Sequence, residues 1–226
     1  MNLLALETST HHLSVALLMG DACLTRSEFL ANGGSDRLLP WVQALLAEGG
    51  LTLGQLDGIA FGAGPGAFTG LRLACGVTQG LAFGADLPVV GICTLEAMAF
   101  NAGAERVFAC LDARMNEVYV AAYVREQEAV FRCEREPAVM PPELVAVPAG
   151  AWTAVGDGFS AYQATLQAGF PGANSSVMPT AEAVGRLAAP RFARGEGQSA
   201  IAAAPLYVRD KVALTTAERL ARGGAR

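Results

Sequence analysis

The feature that most restricts the fold is a pattern that occurs twice: an apolar stretch ending in an acid, five turn residues, then a second apolar stretch. Residues 2–7 and 13–19 flank the turn TSTHH, and VFACLDARMNEVYVAAYV repeats the arrangement, with Leu6-Glu7 matching Leu111-Asp112 at an offset of about 105 residues. Short apolar runs joined by a polar turn read as β-hairpins. The pattern is either a structural duplication or two unrelated hairpins.

Residues 22–30 and 127–134 offer a third strand to each hairpin. Between the copies, a strand at 56–62, the loop GAGPGAFTG, a helix over 70–84, the strand PVVGI and a helix opened by Thr94 alternate. That alternation predicts an α/β fold with at least part of its sheet parallel. A helix over 36–48, capped by Ser35 or Asp36, places Leu38, Leu39, Val42, Leu45 and Leu46 at helical spacing. Pro40 fits its first turn, and Gly49 and Gly50 end it. After a Pro-rich stretch near 137–148 come the strand WTAV, the turn GDG and helices near 159–169 and 180–194. A small-residue loop follows, and the last twenty residues start with PLYVRD and end in a charged helix or frayed tail.

Composition narrows the function. With 52% hydrophobic and 16% charged residues the chain has ample apolar surface to offset conformational entropy, and little polar coat for a free monomer. Glu7, Asp86, Glu96 and Asp112 interrupt every apolar run before the ~18 residues a membrane helix needs. The start MNLLALETST lacks the basic segment of a secretory signal, so a cytoplasmic location is expected. Five scattered cysteines without a C-x-x-C pair fit free thiols in a reducing compartment. The two histidines, His11 and His12, are adjacent and point to opposite faces of an extended segment, a poor metal clamp. A net charge of −5 disfavours autonomous binding of a polyphosphate. Lys211, the single lysine, leaves a lysine-dependent phosphate loop or Schiff base without a candidate.

Three segments carry chemistry. In ETSTHH, Glu7, Thr8, Ser9 and Thr10 can hold a phosphate or a metal-bound water, or simply form a hydroxyl-rich hairpin turn. GAGPGAFTGLR has the flexible glycines and helix start of a phosphate loop without the GK[ST] ending, and its Arg72 reaches either an anion or a carboxylate. In the second hairpin, Asp112 and Glu117 are either a catalytic pair or members of structural ion pairs around Arg114. With no Ser-His-Asp or Cys-His arrangement, no catalytic residue is assigned. Gly76, Gly80 and Gly84 recur every fourth residue of the 70–84 helix, at about 1 kcal/mol each relative to alanine, so a backbone is expected to press on that face. It belongs either to the chain's own sheet or helix, or to a second protein.

The segments LLALETSTHHLSVALL, SDRLLPWV, GAGPGAFTGLRLACGVTQGLA, LDARMNEVYVAAY and APLYVRD, in this order, resemble the TsaB (YeaZ) family across nearly the whole chain. GPGAFTGLR and DARMNEVY are the most specific blocks. The resemblance implies a two-subdomain actin-like, Hsp70-like ATPase fold, each subdomain opening with a hairpin and built on a mixed sheet flanked by helices. It implies subdomains 1–104 and 105–226, with the last segment packing back on the first. Members are paralogues of the catalytic subunit TsaD and pair with it. With the ATPase TsaE, the complex transfers threonylcarbamoyl to N6 of adenosine 37 in tRNAs reading codons that start with A. The implied role is a non-catalytic scaffold that contacts tRNA through the complex and forms homodimers when isolated.

The partner surface implied is the helix pair 36–48 and 70–84, with Leu38, Leu39, Val42, Leu45, Leu46, Arg72, Gly76, Gly80 and Gly84. Glu7, Ser9, Thr10 and Asp112 would be the vestige of a nucleotide or phosphate site, with no resident cofactor or metal, and ATP or ADP with magnesium only at a complex interface. This chain has Glu7 where the broader superfamily usually has aspartate, Gly34-Ser35 where many members have His-Ser, and no counterpart of the catalytic paralogue's metal-binding histidines. The alternative is an ATP-dependent small-molecule kinase or ATPase using Glu7, Ser9, Thr10 and Asp112. A metallopeptidase, an older label of the superfamily, lacks ligands.

Overall fold

The computed structural model describes residues 1–30, 34–146 and 148–209. The charged helix or tail expected at the end of the chain lies outside the described residues. In chain order the elements are β1 (Asn2–Glu7), β2 (His12–Met19), β3 (Ala22–Phe29), α1 (Ser35–Glu48), β4 (Gly58–Gly64), α2 (Phe68–Ala85), β5 (Val89–Cys93) and α3 (Thr94–Ala102). There follow β6 (Arg106–Asp112), β7 (Val118–Gln127), β8 (Val130–Met140), β9 (Thr153–Val155), the single-turn helices α4 (Gly158–Ala161) and α5 (Gln163–Leu166), and α6 (Ala181–Ala193). A 3₁₀ turn at Ala200–Ala202 precedes a final extended segment.

Two mixed sheets result, in the orders β3-β2-β1-β4-β5 and β8-β7-β6-β9. In each, an antiparallel three-strand meander meets a parallel strand beside its first member, β4 on β1 and β9 on β6. Glu7 pairs with Ser14, and Asp112 with Val118, at the matching hairpin ends. The repeated pattern is therefore a duplication, with the two-subdomain topology of the actin-like ATPase fold.

Strand residues alternate between two buried faces, which is why the strands are apolar on both. Leu4, Leu6, Val15 and Leu17 pack under α1 and α2, while Leu3, Ala5, Ala16 and Leu18 pack under α6 through Ala181, Val184, Leu187 and Ala188. Helix α6, late in the chain, thus covers the first sheet, and the amide of Ala181 donates to Ser14 Oγ at 2.8 Å. Leu95, Met98 and Ala99 of α3 cover the second sheet, while Ala97 joins the first sheet's core. Glu96, 7% exposed at the N-terminus of α3, accepts through both oxygens, at 2.8 and 2.7 Å, from Arg191 of α6. Burial raises the pKa of this carboxyl, and Arg191 opposes the shift.

Three local expectations change. Ser35 is the first residue of α1 rather than its cap; Gly34 takes that position, without a side-chain capping bond. The helix expected near 159–169 divides into α4 and α5 at Tyr162, whose φ of −122° and ψ of 40° interrupt the helical path. Strand β8 runs through Pro137 to Met140, because it lies at a sheet edge where a missing N–H is tolerated and its pairing with β7 is already irregular there. No helix among the described residues is long and apolar enough to cross a membrane.

Candidate functional site: an interdomain cleft and an exposed helix face

The two hairpin turns and the start of α2 enclose a cleft of about 280 Å³ that includes Ser9, Thr10, His11, Asp112, Arg114 and Asp157. Glu7 lies behind it. The carboxyl is fully buried, accepts from the amide of Ser9 at 2.6 Å through Oε1, and has no hydrogen-bond partner at Oε2. Loss of hydration raises its pKa to about 6, against the opposing bonds from Ser9 and Thr8. A side chain at Gly62 would run into this carboxyl, so the glycine makes room for it. Of the four residues expected at a vestigial phosphate site, Ser9, Thr10 and Asp112 line the cleft, whereas Glu7 faces away from it into the core.

The glycine-rich loop is committed to the neighbouring turn. The carbonyl of Ser9 accepts from the amide of Ala67 at 2.7 Å, and the hydroxyl of Thr8 donates to the carbonyl of Gly70 at 2.6 Å. A Cβ at Gly66 would approach Ser9 Cβ to 2.8 Å, and one at Gly70 would strike the carbonyl of Thr8. These glycines let the loop and the first turn of α2 seat directly on the β1–β2 turn. The helix start thus meets the Ser9 carbonyl through the Ala67 amide. Within the turn, His12 N donates to Thr10 Oγ1 at 3.1 Å.

The second hairpin turn is equally engaged. Asp112 Oδ1 accepts from the Arg114 amide at 2.8 Å and from the Tyr162 hydroxyl at 3.2 Å, and Oδ2 lies 3.1 Å from the Arg114 guanidinium. Asp157 Oδ1 accepts from the Asp112 amide at 3.0 Å, and burial raises the Asp157 pKa. Glu117 pairs with Arg209 at 2.6 Å, and Arg209 also donates to the carbonyl of Ala113 at 2.9 Å. Asp112 is thus ion-paired with Arg114, as the second reading of this turn has it, whereas Glu117 pairs with Arg209 and not with Arg114. Arg114, Met115 and Asn116 have φ of 59°, 58° and 59°, a left-handed run that costs roughly 1 kcal/mol or more per residue. It aims Arg114 back across the cleft, 3.0 Å from His11 Nε2, joining the two turns. Asp157 and Arg209 escaped the sequence reading because contacts distant along the chain bring them in. Their signals were the turn GDG and the terminal block PLYVRD. Among the described residues no three His, Cys, Asp or Glu side chains gather as a metal cluster.

The other candidate surface is the outer face of α2. Gly76, Gly80 and Gly84 are exposed, and a Cβ built on any of them meets nothing within 4 Å. No sheet or helix among the described residues therefore presses on this stripe. Arg72 is exposed and stacks over Phe68, 4.0 Å from the ring centroid, without a carboxylate partner among the described residues. On α1 the expected surface is corrected: Leu38, Val42 and Leu45 are 0%, 2% and 0% exposed and fill the core under the first sheet. Leu39 is 46% exposed and Leu46 half-buried, so these two are what the helix offers outward. Helical spacing marked all five leucine and valine positions but not which side of the stripe faced the sheet.

A family model described as TsaD, tRNA N6-adenosine threonylcarbamoyltransferase, matches residues 28–215. The chain is 38% identical over 223 residues to the tRNA threonylcarbamoyladenosine biosynthesis protein TsaB of Escherichia coli (strain K12), an alignment covering 94% of this chain and 96% of that protein. Among solved structures, YeaZ from Pseudomonas aeruginosa is 44% identical with a TM-score of 0.83, covering 91% of this chain and 99% of that one. A second crystal structure, described as an uncharacterized protein with similarity to peptidase YEAZ from Pseudomonas aeruginosa, is 44% identical with a TM-score of 0.84, covering 92% of this chain and 99% of that one.

Proposed function

Because this chain belongs to the TsaB (YeaZ) family and matches the TsaD model over most of its length, we propose that it is a non-catalytic scaffold subunit in tRNA threonylcarbamoyladenosine biosynthesis. It pairs with a TsaD-like catalytic subunit, works with a TsaE-like ATPase, and meets tRNA through the complex in the cytoplasm. The reaction served is transfer of threonylcarbamoyl to N6 of adenosine 37. The observation that carries this reading is the glycine stripe of α2, against which a Cβ meets nothing within 4 Å among the described residues. Three interior glycines weaken a helix by about 1 kcal/mol each, an expense that close approach of another backbone offsets. In the free chain the same face supports a homodimer.

The cleft supports a scaffold more than a catalyst. A magnesium nucleotide does not fit the residues present: Glu7 is walled off, the amide of Ser9 is spent on Glu7, and Asp112 is held by Arg114 and Tyr162. The test is capture of the chain from its native cell, followed by modification assays with the purified subunits. Recovery of a TsaD-like chain, and tRNA modification only when it is present, is expected. Turnover by this chain alone, with loss on Glu7→Ala, would overturn the scaffold reading in favour of an ATPase.

A further inference from the structure

The stripe alone makes a small contact. An 18-residue α2 and a 14-residue α1 are about 27 and 21 Å long, so two faces ~10 Å wide present about 500 Å². Glycine adds little relief to that footprint, and α1 has turned Leu38, Val42 and Leu45 inward. A stable interface takes roughly 800 Å² from each partner. The missing area must lie beside the stripe, and the chain shows where.

On a helix, Gln79 and Phe83 stand one above the other, beside the glycine column. Gln79 Nε2 donates to the carbonyl of Ala203 at 2.8 Å, which fastens the 3₁₀ turn Ala200–Ala202 and the segment after it along that flank of α2. Further along, the rings of Phe68 and Tyr207 lie 6.4 Å apart. This flank has the two most exposed large apolar side chains among the described residues, Phe83 at 85% and Ile201 at 88%. Leu206 and Tyr207 follow at 41% and 51%. Large apolar side chains held out from well-anchored backbone beside a flat small-residue stripe are the anchor pattern of an interface, in which a few residues carry most of the binding energy.

Resting on the scaffold reading, we propose that the partner's footprint extends from the glycine stripe across this flank, with Phe83 and Ile201 as its anchors. The occupant is the TsaD-like subunit that covers the stripe. Its surface must carry a helix that lies on the glycines and, beside it, an apolar recess that takes these two side chains.

Titration calorimetry of the full-length chain with the separately purified TsaD-like subunit tests this, using Phe83→Ser, Ile201→Ser and Gly80→Leu. The two serine variants should each bind about 10- to 100-fold more weakly, the range of a truncated anchor. Their melting temperatures should stay near wild type, because neither side chain is buried in the isolated chain. Amide exchange of segment 200–207 should slow in the complex. Wild-type affinity in both serine variants, with binding lost in Gly80→Leu, would overturn the extended footprint and leave the stripe reading intact. Wild-type affinity in Gly80→Leu would overturn the stripe reading and this inference with it.

Discussion

Replacing Gly80 by leucine separates two roles that most interface mutations confuse. In the free chain the substitution is benign, since a Cβ at this position has nothing within 4 Å and the backbone is already helical. Glycine is about 0.8–1.0 kcal/mol less favourable than alanine in a helix, and leucine only a few tenths, so the variant should gain about 0.7 kcal/mol. For a chain of this size that is a rise of roughly 1–3 °C in melting temperature. In the complex the same isobutyl group stands where a partner backbone must come close. It should cost at least about 100-fold in affinity, close to 3 kcal/mol. Differential scanning fluorimetry and calorimetric titration on one preparation measure both signs. Any homodimer should dissociate in parallel, which sedimentation velocity would show. At a concentration where wild type is monomeric, a variant that melts lower would mean that the stripe is covered within the chain's own fold. One that binds normally would mean that no backbone meets it.

Other outcomes follow from the buried polar groups and the loop. A folded-state pKa of about 6 for Glu7, above the ordinary glutamate value of 4.5, means the native protein holds the proton more tightly than the unfolded chain between those pH values. The ionised carboxylate therefore lowers stability above pH 6, by about 2 kcal/mol, and this penalty fades as the pH falls towards 4.5. Urea unfolding at pH 8 and pH 5 should show a wild-type pH dependence that Glu7→Gln flattens, and equal slopes in both would refute it. Gly70→Ala should cost about 1–3 kcal/mol through collision with the Thr8 carbonyl, read as a lower urea midpoint. Arg191→Met should cost about 3 kcal/mol by stranding the Glu96 carboxylate, with partial recovery in the Glu96→Gln double variant.

The duplicated hairpins were legible because side-chain alternation and an acid at each strand end repeat at one offset, and the sheets carry both in matching order. The four-residue spacing of the α2 glycines was legible as one helix face, and the structure leaves that face uncovered by the described residues. The inner face of α1 was not. Leu38 and Leu39 are equally apolar, and only the position of the first sheet decides that one is core and the other surface. Composition left the loop GAGPGAFTG open: glycines before a helix suit a phosphate or a packed turn, and the contacts with Thr8 and Ser9 that make it the second depend on residues some sixty positions earlier. Arg209 and Asp157 reach the cleft through sheet and strap geometry that no local spacing encodes.

The seating of the glycine-rich loop has a mechanical consequence. With Gly66 and Gly70 in contact with Ser9 and Thr8, and hydrogen bonds at both points, the outward helix α2 and the floor of the cleft form one rigid piece. A load placed on the outer surface of that helix cannot be absorbed at the loop. A shift of α2 is therefore expected to carry the first hairpin turn with it, the turn whose His11 lies 3.0 Å from Arg114 of the second.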